Sequence, residues 1–105
     1  MITFRERVLQ LALSIPQGRV TTYGRIARAA GSGPMASQSI TSILGKAWEH
    51  GEKDIPFHRI VYADGRIWVD TKHRRYRLKR YRAEGIELDK KDRIKNFRAL
   101  LFEFR

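Results

Sequence analysis

The chain of 105 residues contains no cysteine. Disulfides and thiolate metal sites are therefore excluded, and so is any reaction that needs a thiol nucleophile. Its three histidines, His50, His58 and His73, are scattered without ligand spacing, so no metal and no other cofactor is expected. Long apolar runs are also missing. Nothing approaches the roughly 20 residues of a transmembrane helix, and the amino terminus has no apolar signal core. A soluble cytoplasmic protein is expected, nucleoid-associated in a bacterium or archaeon and nuclear in a eukaryote. Acidic residues are scarce, 11 against 22 Lys and Arg, which leaves a net charge of +11. A surface that basic draws polyanions in over roughly a Debye length. Nucleic acid is the first candidate partner, ahead of an anionic membrane surface. The length fits a single domain, residues 1–105, as a monomer, with no room for a second catalytic domain.

Local signals divide the chain into short helices and one hairpin. Thr3-Phe4-Arg5-Glu6 has the form of a capping box, and Phe4, Val8, Leu11, Ala12 and Ile15 then recur at helical spacing until Pro16 and Gly18. Val20-Thr21-Thr22 reads as an extended link, with Thr22 capping a second helix that Gly31 stops. Ser32-Gly33-Pro34 is a turn, with Pro34 at a first helical position. The third helix buries Ile40, Ile43, Leu44, Ala47 and Trp48 and turns Gln38, Ser39, Thr41, Ser42 and Lys46 outward. The second and third helices form a helix-turn-helix whose outer face is short and polar enough to approach a groove floor. Residues 57–61 and 66–69 about Ala63-Asp64-Gly65 read as a β-hairpin, the wing of a winged-helix-like fold. Residues 71–84 form a basic helix with a narrow apolar edge of Tyr76, Leu78 and Tyr81. Ile94, Phe97, Leu100, Leu101 and Phe104 predict a last amphipathic helix. The fold class is α/β, mostly α.

Two stretches resemble the O6-alkylguanine-DNA alkyltransferases. Residues 15–27, Ile-Pro-Gln-Gly-Arg-Val-Thr-Thr-Tyr-Gly-Arg-Ile-Ala, are similar to that family's Ile-Pro-x-Gly-x-Val-x-Ser/Thr-Tyr-Gly-x-Ile-Ala segment. Pro56-Phe57-His58-Arg59-Ile60, followed by a glycine turn and then Glu84-Gly85, resembles its active-site segment, with Phe57 in the place of the reactive cysteine. The resemblance covers about residues 4–86 and implies the carboxyl-terminal DNA-binding fold of the transferases, without their amino-terminal domain. An aromatic at the nucleophile position is the mark of the alkyltransferase-like proteins, non-enzymatic relatives that usually carry tryptophan there. Phenylalanine has no lone pair with which to accept an alkyl group, so the resemblance implies no catalytic residue.

What the resemblance implies is recognition of O6-alkylguanine in double-stranded DNA. The helix-turn-helix enters the minor groove, the damaged nucleotide is rotated into a pocket, and the bound complex marks the lesion for nucleotide excision repair proteins. The alkylguanine pocket is expected from Tyr23, Phe57, His58, Arg59, Trp68, Val69 and Thr71. Tyr23 corresponds to a tyrosine that presses on the target phosphate. His58 and Glu84 correspond to the pair that activates the cysteine, and with no thiol they are expected to brace the pocket. Trp68 either stacks on a purine or packs on the core. The DNA-binding set is Thr22, Tyr23, Gln38, Ser39, Thr41, Ser42, Lys46, Arg74 and Arg75, with Lys79 and Arg82 further phosphate candidates. Gln38 stands where the family has an arginine finger that fills the gap left by the flipped base, unless the register moves Ser37 there. Glutamine lacks the planar cation that suits arginine to that task. Arg80 and Tyr81 replace a leucine pair.

Two other readings stay open. A lesion-indifferent architectural or regulatory DNA-binding protein is favoured by Gln38, and it predicts salt-sensitive binding that ignores the adduct. An enzyme with another nucleophile has Ser37, Ser39 and Ser42 on the wrong element and Tyr62 several residues past the site.

Overall fold

A computed structural model describes residues 2–32, 37–67 and 71–104, with the side chains of Ser37 and Gln38 outside the description. The elements run α1 (Phe4–Leu13), β1 (Thr21–Thr22), α2 (Tyr23–Ala29), α3 (Ser37–Glu49), a 3₁₀ turn (Phe57–Arg59), β2 (Ile60–Val61), α4 (Arg74–Ala83) and α5 (Phe97–Leu100).

The amino-terminal signals act as expected. Thr3 Oγ1 accepts the Glu6 amide at 3.2 Å, and Thr22 Oγ1 accepts the Arg25 amide at 3.2 Å to start α2. Val8, Ala12 and Ile15 from the first helical stripe meet Ile26, Ala27, Ile40 and Leu44 in one core. Trp48 departs from expectation. Although it falls on the apolar side of α3, it is 39% exposed, because its position in the last turn carries it past the core to Phe57.

The sheet corrects the hairpin expectation. Ile60 and Val61 pair in parallel with Thr21 and Thr22, and the crossover that parallel pairing demands is supplied by α2 and α3. Past Val61 the chain makes only a tight turn, with the Tyr62 amide donating to the Arg66 carbonyl and the Gly65 amide to the Tyr62 carbonyl. The Ile67 amide then donates to Asp92 O instead of to residues before the turn. Among the described residues there is a turn held by the carboxyl-terminal segment, and no two-stranded wing. A second core of Val20, Val61, Ile67, Tyr81, Ile86 and Ile94 lies on this side of the ladder.

The last helix is also shorter than expected. Helical spacing from Ile94 to Phe104 suggested several turns, yet α5 spans only Phe97–Leu100. The Val20 backbone intervenes: its amide donates to Leu100 O at 3.0 Å and its carbonyl accepts the Phe102 amide at 2.7 Å, so the chain past α5 is extended. On α4, Tyr81 is buried but Tyr76 is 61% exposed, so the apolar edge is narrower than the sequence pattern implied.

Gly65 sits at φ +85° with the Phe97 ring 3.0 Å from where a Cβ would stand. Replacing Gly65 by alanine imposes both backbone strain and a ring displacement. The Gly65→Ala protein is expected to lose about 2 kcal/mol of stability, read as a lowered urea midpoint with unchanged slope.

Candidate nucleic-acid interface

The nucleophile position is set by proline. Pro56 has φ −84° and ψ 71°, and the Phe57 amide bonds the Ile55 carbonyl across it at 3.0 Å. This is an inverse γ-turn, for which the proline ring pre-sets φ. Phe57 leaves the turn half-buried against the helical core, with its ring edge on Trp48 at 5.7 Å. Lys53 lies over the other partner of that pair, its Nζ 4.6 Å from the Trp48 ring centre.

Behind Phe57 a single carboxylate gathers the surrounding chain. Glu84 Oε2 meets His58 Nε2 at 2.5 Å and Arg59 Nη2 at 2.9 Å. Its Oε1 accepts the Gly18 amide at 2.9 Å, and Arg59 Nη1 reaches on to the Ile15 carbonyl at 2.8 Å. Glu84 and His58 side chains are each 5% exposed. Gly85 explains how the carboxylate is aimed there. At φ +73° it ends α4 in a left-handed cap, with its amide on Arg82 O and the Ile86 amide on Tyr81 O. That is a Schellman motif, and it leaves Glu84 at the cap itself.

Burial pushes the His58 imidazole below its ordinary value, against the opposing pull of Glu84. The ring is thus neutral near neutral pH, and Nε2–H donates to the carboxylate while Arg59 supplies the balancing charge. Burial of Glu84 acts to raise its pKa, but the Arg59 guanidinium, the Gly18 amide and His58 outweigh it and hold the carboxyl at about 2. His58 had been expected as pocket lining as well as bracing, and Arg59 as pocket lining. Their polar groups are committed to Glu84 and Ile15.

Tyr23, the first residue of α2, is half-buried beside the Tyr62 ring at 5.9 Å. Burial raises its pKa, opposed by the Arg77 cation. A neutral phenol at this place carries no charge that would repel a phosphate.

The outward face of α3 divides. Ser39, Thr41, Ser42 and Lys46 are all exposed. Ser42 and Lys46 border a groove of about 280 Å³ shared with Arg5, Glu6, Leu9 and His50 of α1 and the end of α3. Thr22 is 7% exposed and its hydroxyl is used as the α2 cap. Arg74 is corrected in part, since Asp92 holds it through two 2.7 Å bonds and a phosphate must compete for it. Arg75, Lys79 and Arg82 are exposed on α4. Thr71 is exposed. Trp68, Val69 and the Gln38 and Ser37 side chains lie outside the described residues, as does Pro34.

Sequence reasoning missed Tyr62, Arg77, Trp48 and the Gly18 amide as parts of this neighbourhood. Tyr62 had a signal, since it directly follows the strand that follows His58-Arg59. Trp48 had none, because its contact with Phe57 depends on how the chain after α3 returns.

The comparisons with known proteins agree with this geometry. Residues 3–86 match the model of the DNA-binding domain of 6-O-methylguanine DNA methyltransferase. The chain belongs to this family. A DNA base-flipping protein of Escherichia coli is 34% identical over 84 residues, 80% of this chain and 63% of the relative, so the chain spans less than two thirds of that protein's length. A DNA base-flipping protein of Vibrio parahaemolyticus is 31% identical, covering 90% of this chain and 91% of the relative. Alkyltransferase-like protein 1 of Schizosaccharomyces pombe is 35% identical over 84% of this chain and 81% of its own. The crystal structure of S. pombe Atl1 with damaged DNA containing O6-carboxymethylguanine superposes with a TM-score of 0.76 at 26% identity, covering 99% of this chain and 100% of that one. The mostly helical domain with short parallel strands is the fold of that family member. With no cysteine in the chain, the thiol-based alkyl transfer of the parent enzymes is chemically unavailable here.

Both members of the buried pair have lowered folded-state pKa values, so acid is the destabilising direction. The stability tied to Glu84 is complete above its ordinary value of 4.5 and lost as pH falls toward about 2; that tied to His58 begins to fall below 6.5. Glu84→Gln leaves Arg59 half-paired and is expected to cost about 3 kcal/mol at pH 7. Urea unfolding followed from pH 7 to pH 2.5 should show the wild type losing stability through that window and the Gln variant a flatter profile. Parallel profiles for the two proteins contradict the assignment.

Proposed function

We propose that this chain is a non-enzymatic DNA-damage-binding protein that recognises O6-alkylguanine in duplex DNA. In this reading α2 and α3 enter the minor groove, the damaged nucleotide leaves the stack, and the alkyl group rests against Phe57 where a transferase would present its thiol. The bound complex then marks the lesion for nucleotide excision repair. The whole chain acts as one DNA-binding unit, in the cytoplasm or on the nucleoid.

The observation that carries the reading is the replacement at Phe57 inside an otherwise intact frame. The γ-turn at Pro56 and the Glu84–His58–Arg59 cluster hold that position as firmly as a catalytic residue would need, yet the group held is an apolar ring. A rigid apolar ring suits contact with an alkyl substituent and permits no transfer. The net charge of +11 supplies the electrostatic share of binding. A poorly paired alkylguanine also costs less to extrude than a normal base, by at most a few kcal/mol, which adds selectivity before any pocket contact. The names of the relatives, base-flipping and alkyltransferase-like, support the same mechanism.

A second reading, DNA binding without lesion preference, is favoured by Gln38 in the position of the intercalating arginine. Amide hydrogen bonding to the orphaned cytosine is all that glutamine offers there.

Equilibrium titration of an O6-methylguanine duplex against the same undamaged duplex separates the two. Preference for the damaged duplex is expected, with no alkyl label found on the protein afterwards. Phe57→Ala should reduce that preference by roughly tenfold, about 1.4 kcal/mol, while Gln38→Arg should sharpen it. Equal affinities for the two duplexes establish the second reading, and a covalently labelled protein refutes both.

A further inference from the structure

The ring contact at Tyr23 extends outward through residues that neither the family motif nor the charge pattern singled out. β1 and β2 pair Thr22 with Val61, and the next residue along each strand is a tyrosine, Tyr23 on one and Tyr62 on the other. The register therefore delivers the two side by side. Their centroids are 5.9 Å apart at a tilt of 49°, within the span of favourable aromatic pairs. On the Tyr62 ring lies the Arg66 guanidinium, its Cζ 5.4 Å from the ring centre.

Arg66 is placed by a turn with little freedom. The Tyr62 amide donates to the Arg66 carbonyl and the Ile94 amide to Gly65 O, while Asp64 Oδ1 accepts the Arg66 amide at 3.0 Å. Arg66 is exposed, and among the described residues its guanidinium makes no ion pair. Arg25, Arg59 and Arg74 contrast with it, each held by a carboxylate. A guanidinium fixed on an aromatic face, with no counter-ion among the described residues, offers its charge to an external partner, and its planar fork fits two oxygens of a phosphate.

We propose that Arg66 is a phosphate-binding residue of the DNA site, and that Tyr62 is the positioning residue joining it to Tyr23. The proposal rests on the DNA-binding reading above and adds a second grip on the sugar-phosphate backbone, at a spacing dictated by strand register. Backbone contacts position a protein without reading sequence, so Arg66 contributes equally to damaged and undamaged duplexes.

The test uses the full chain, binding an undamaged and an O6-methylguanine duplex over a series of salt concentrations. Arg66→Gln is expected to weaken both about five- to tenfold at moderate salt and to lower the log–log salt slope by about 1, as loss of one phosphate contact requires. Arg66→Lys keeps the slope. Tyr62→Leu and Arg66→Gln are expected to be non-additive, since the guanidinium loses its support in the first, and Tyr62→Phe behaves as wild type. Both side chains are exposed, and unchanged unfolding midpoints verify that the fold survives. An unaltered slope in Arg66→Gln overturns the phosphate contact, and strict additivity of the pair overturns the positioning role. A wild-type protein that binds neither duplex takes down the DNA-binding reading itself.

Discussion

The structure depends on the Glu84 carboxylate and the charge that answers it. One buried anion meets an amide from the turn after α1, a ring nitrogen and a guanidinium from the turn before β2, and through Arg59 the carbonyl of Ile15. Two stretches distant in sequence, residues 15–18 and 58–59, thus converge on the third that carries it. A carboxylate withdrawn from water is costly unless its lone pairs are filled, and here both oxygens are occupied. No buried side-chain polar atom among the described residues lacks a partner. The same requirement gives the arrangement its specificity: an incorrect docking of any of the three stretches strands a charge.

This arrangement also accounts for how the frame can stand without the thiol chemistry. In a transferase the histidine and glutamate prepare a thiol; here they hold a turn in place. The Tyr81 ring packs edge-on to His58 at 5.8 Å, and the second core surrounds Tyr81. Removing the pair would therefore unsettle the junction between α4 and the rest of the molecule. Without a cysteine the thiol reaction is unavailable, while the mechanical reason for His58 and Glu84 stands.

Much of this was legible in the sequence, and the misses share a cause. The caps at Thr3 and Thr22, the stripe on α1 and the Pro-x-His-Arg to Glu-Gly interval are local or motif-borne signals, and each appears as read. The hairpin and the long last helix failed because their backbone groups found partners far away. Ile67 donates to Asp92 and Val20 takes both Leu100 and Phe102, and neither pairing has a signature in a short window. Asp-Gly at positions 64–65 truly marks a turn, but a turn says nothing about whether the flanking strands pair with each other. At the site, Phe57, Tyr23 and Glu84 were reached through motif spacing. Trp48 was not, because its contact with Phe57 arises from the return of the chain after α3, and Arg66 was not, because the register that sets its partner Tyr62 beside Tyr23 joins distant strands.

The parallel ladder has one more consequence. Helices α2 and α3 both lie between its two strands, so they form a single excursion whose ends are clamped at adjacent points. Lengthening such an excursion costs little, since closure entropy grows only with the logarithm of length. Residues can be gained or lost in the connections on either side of α3 while Thr22 still faces Val61 and the two tyrosines beyond them still meet. The ladder works as a caliper: the reach of the α2–α3 arm can change while the gauge between the aromatic rings at its base stays constant.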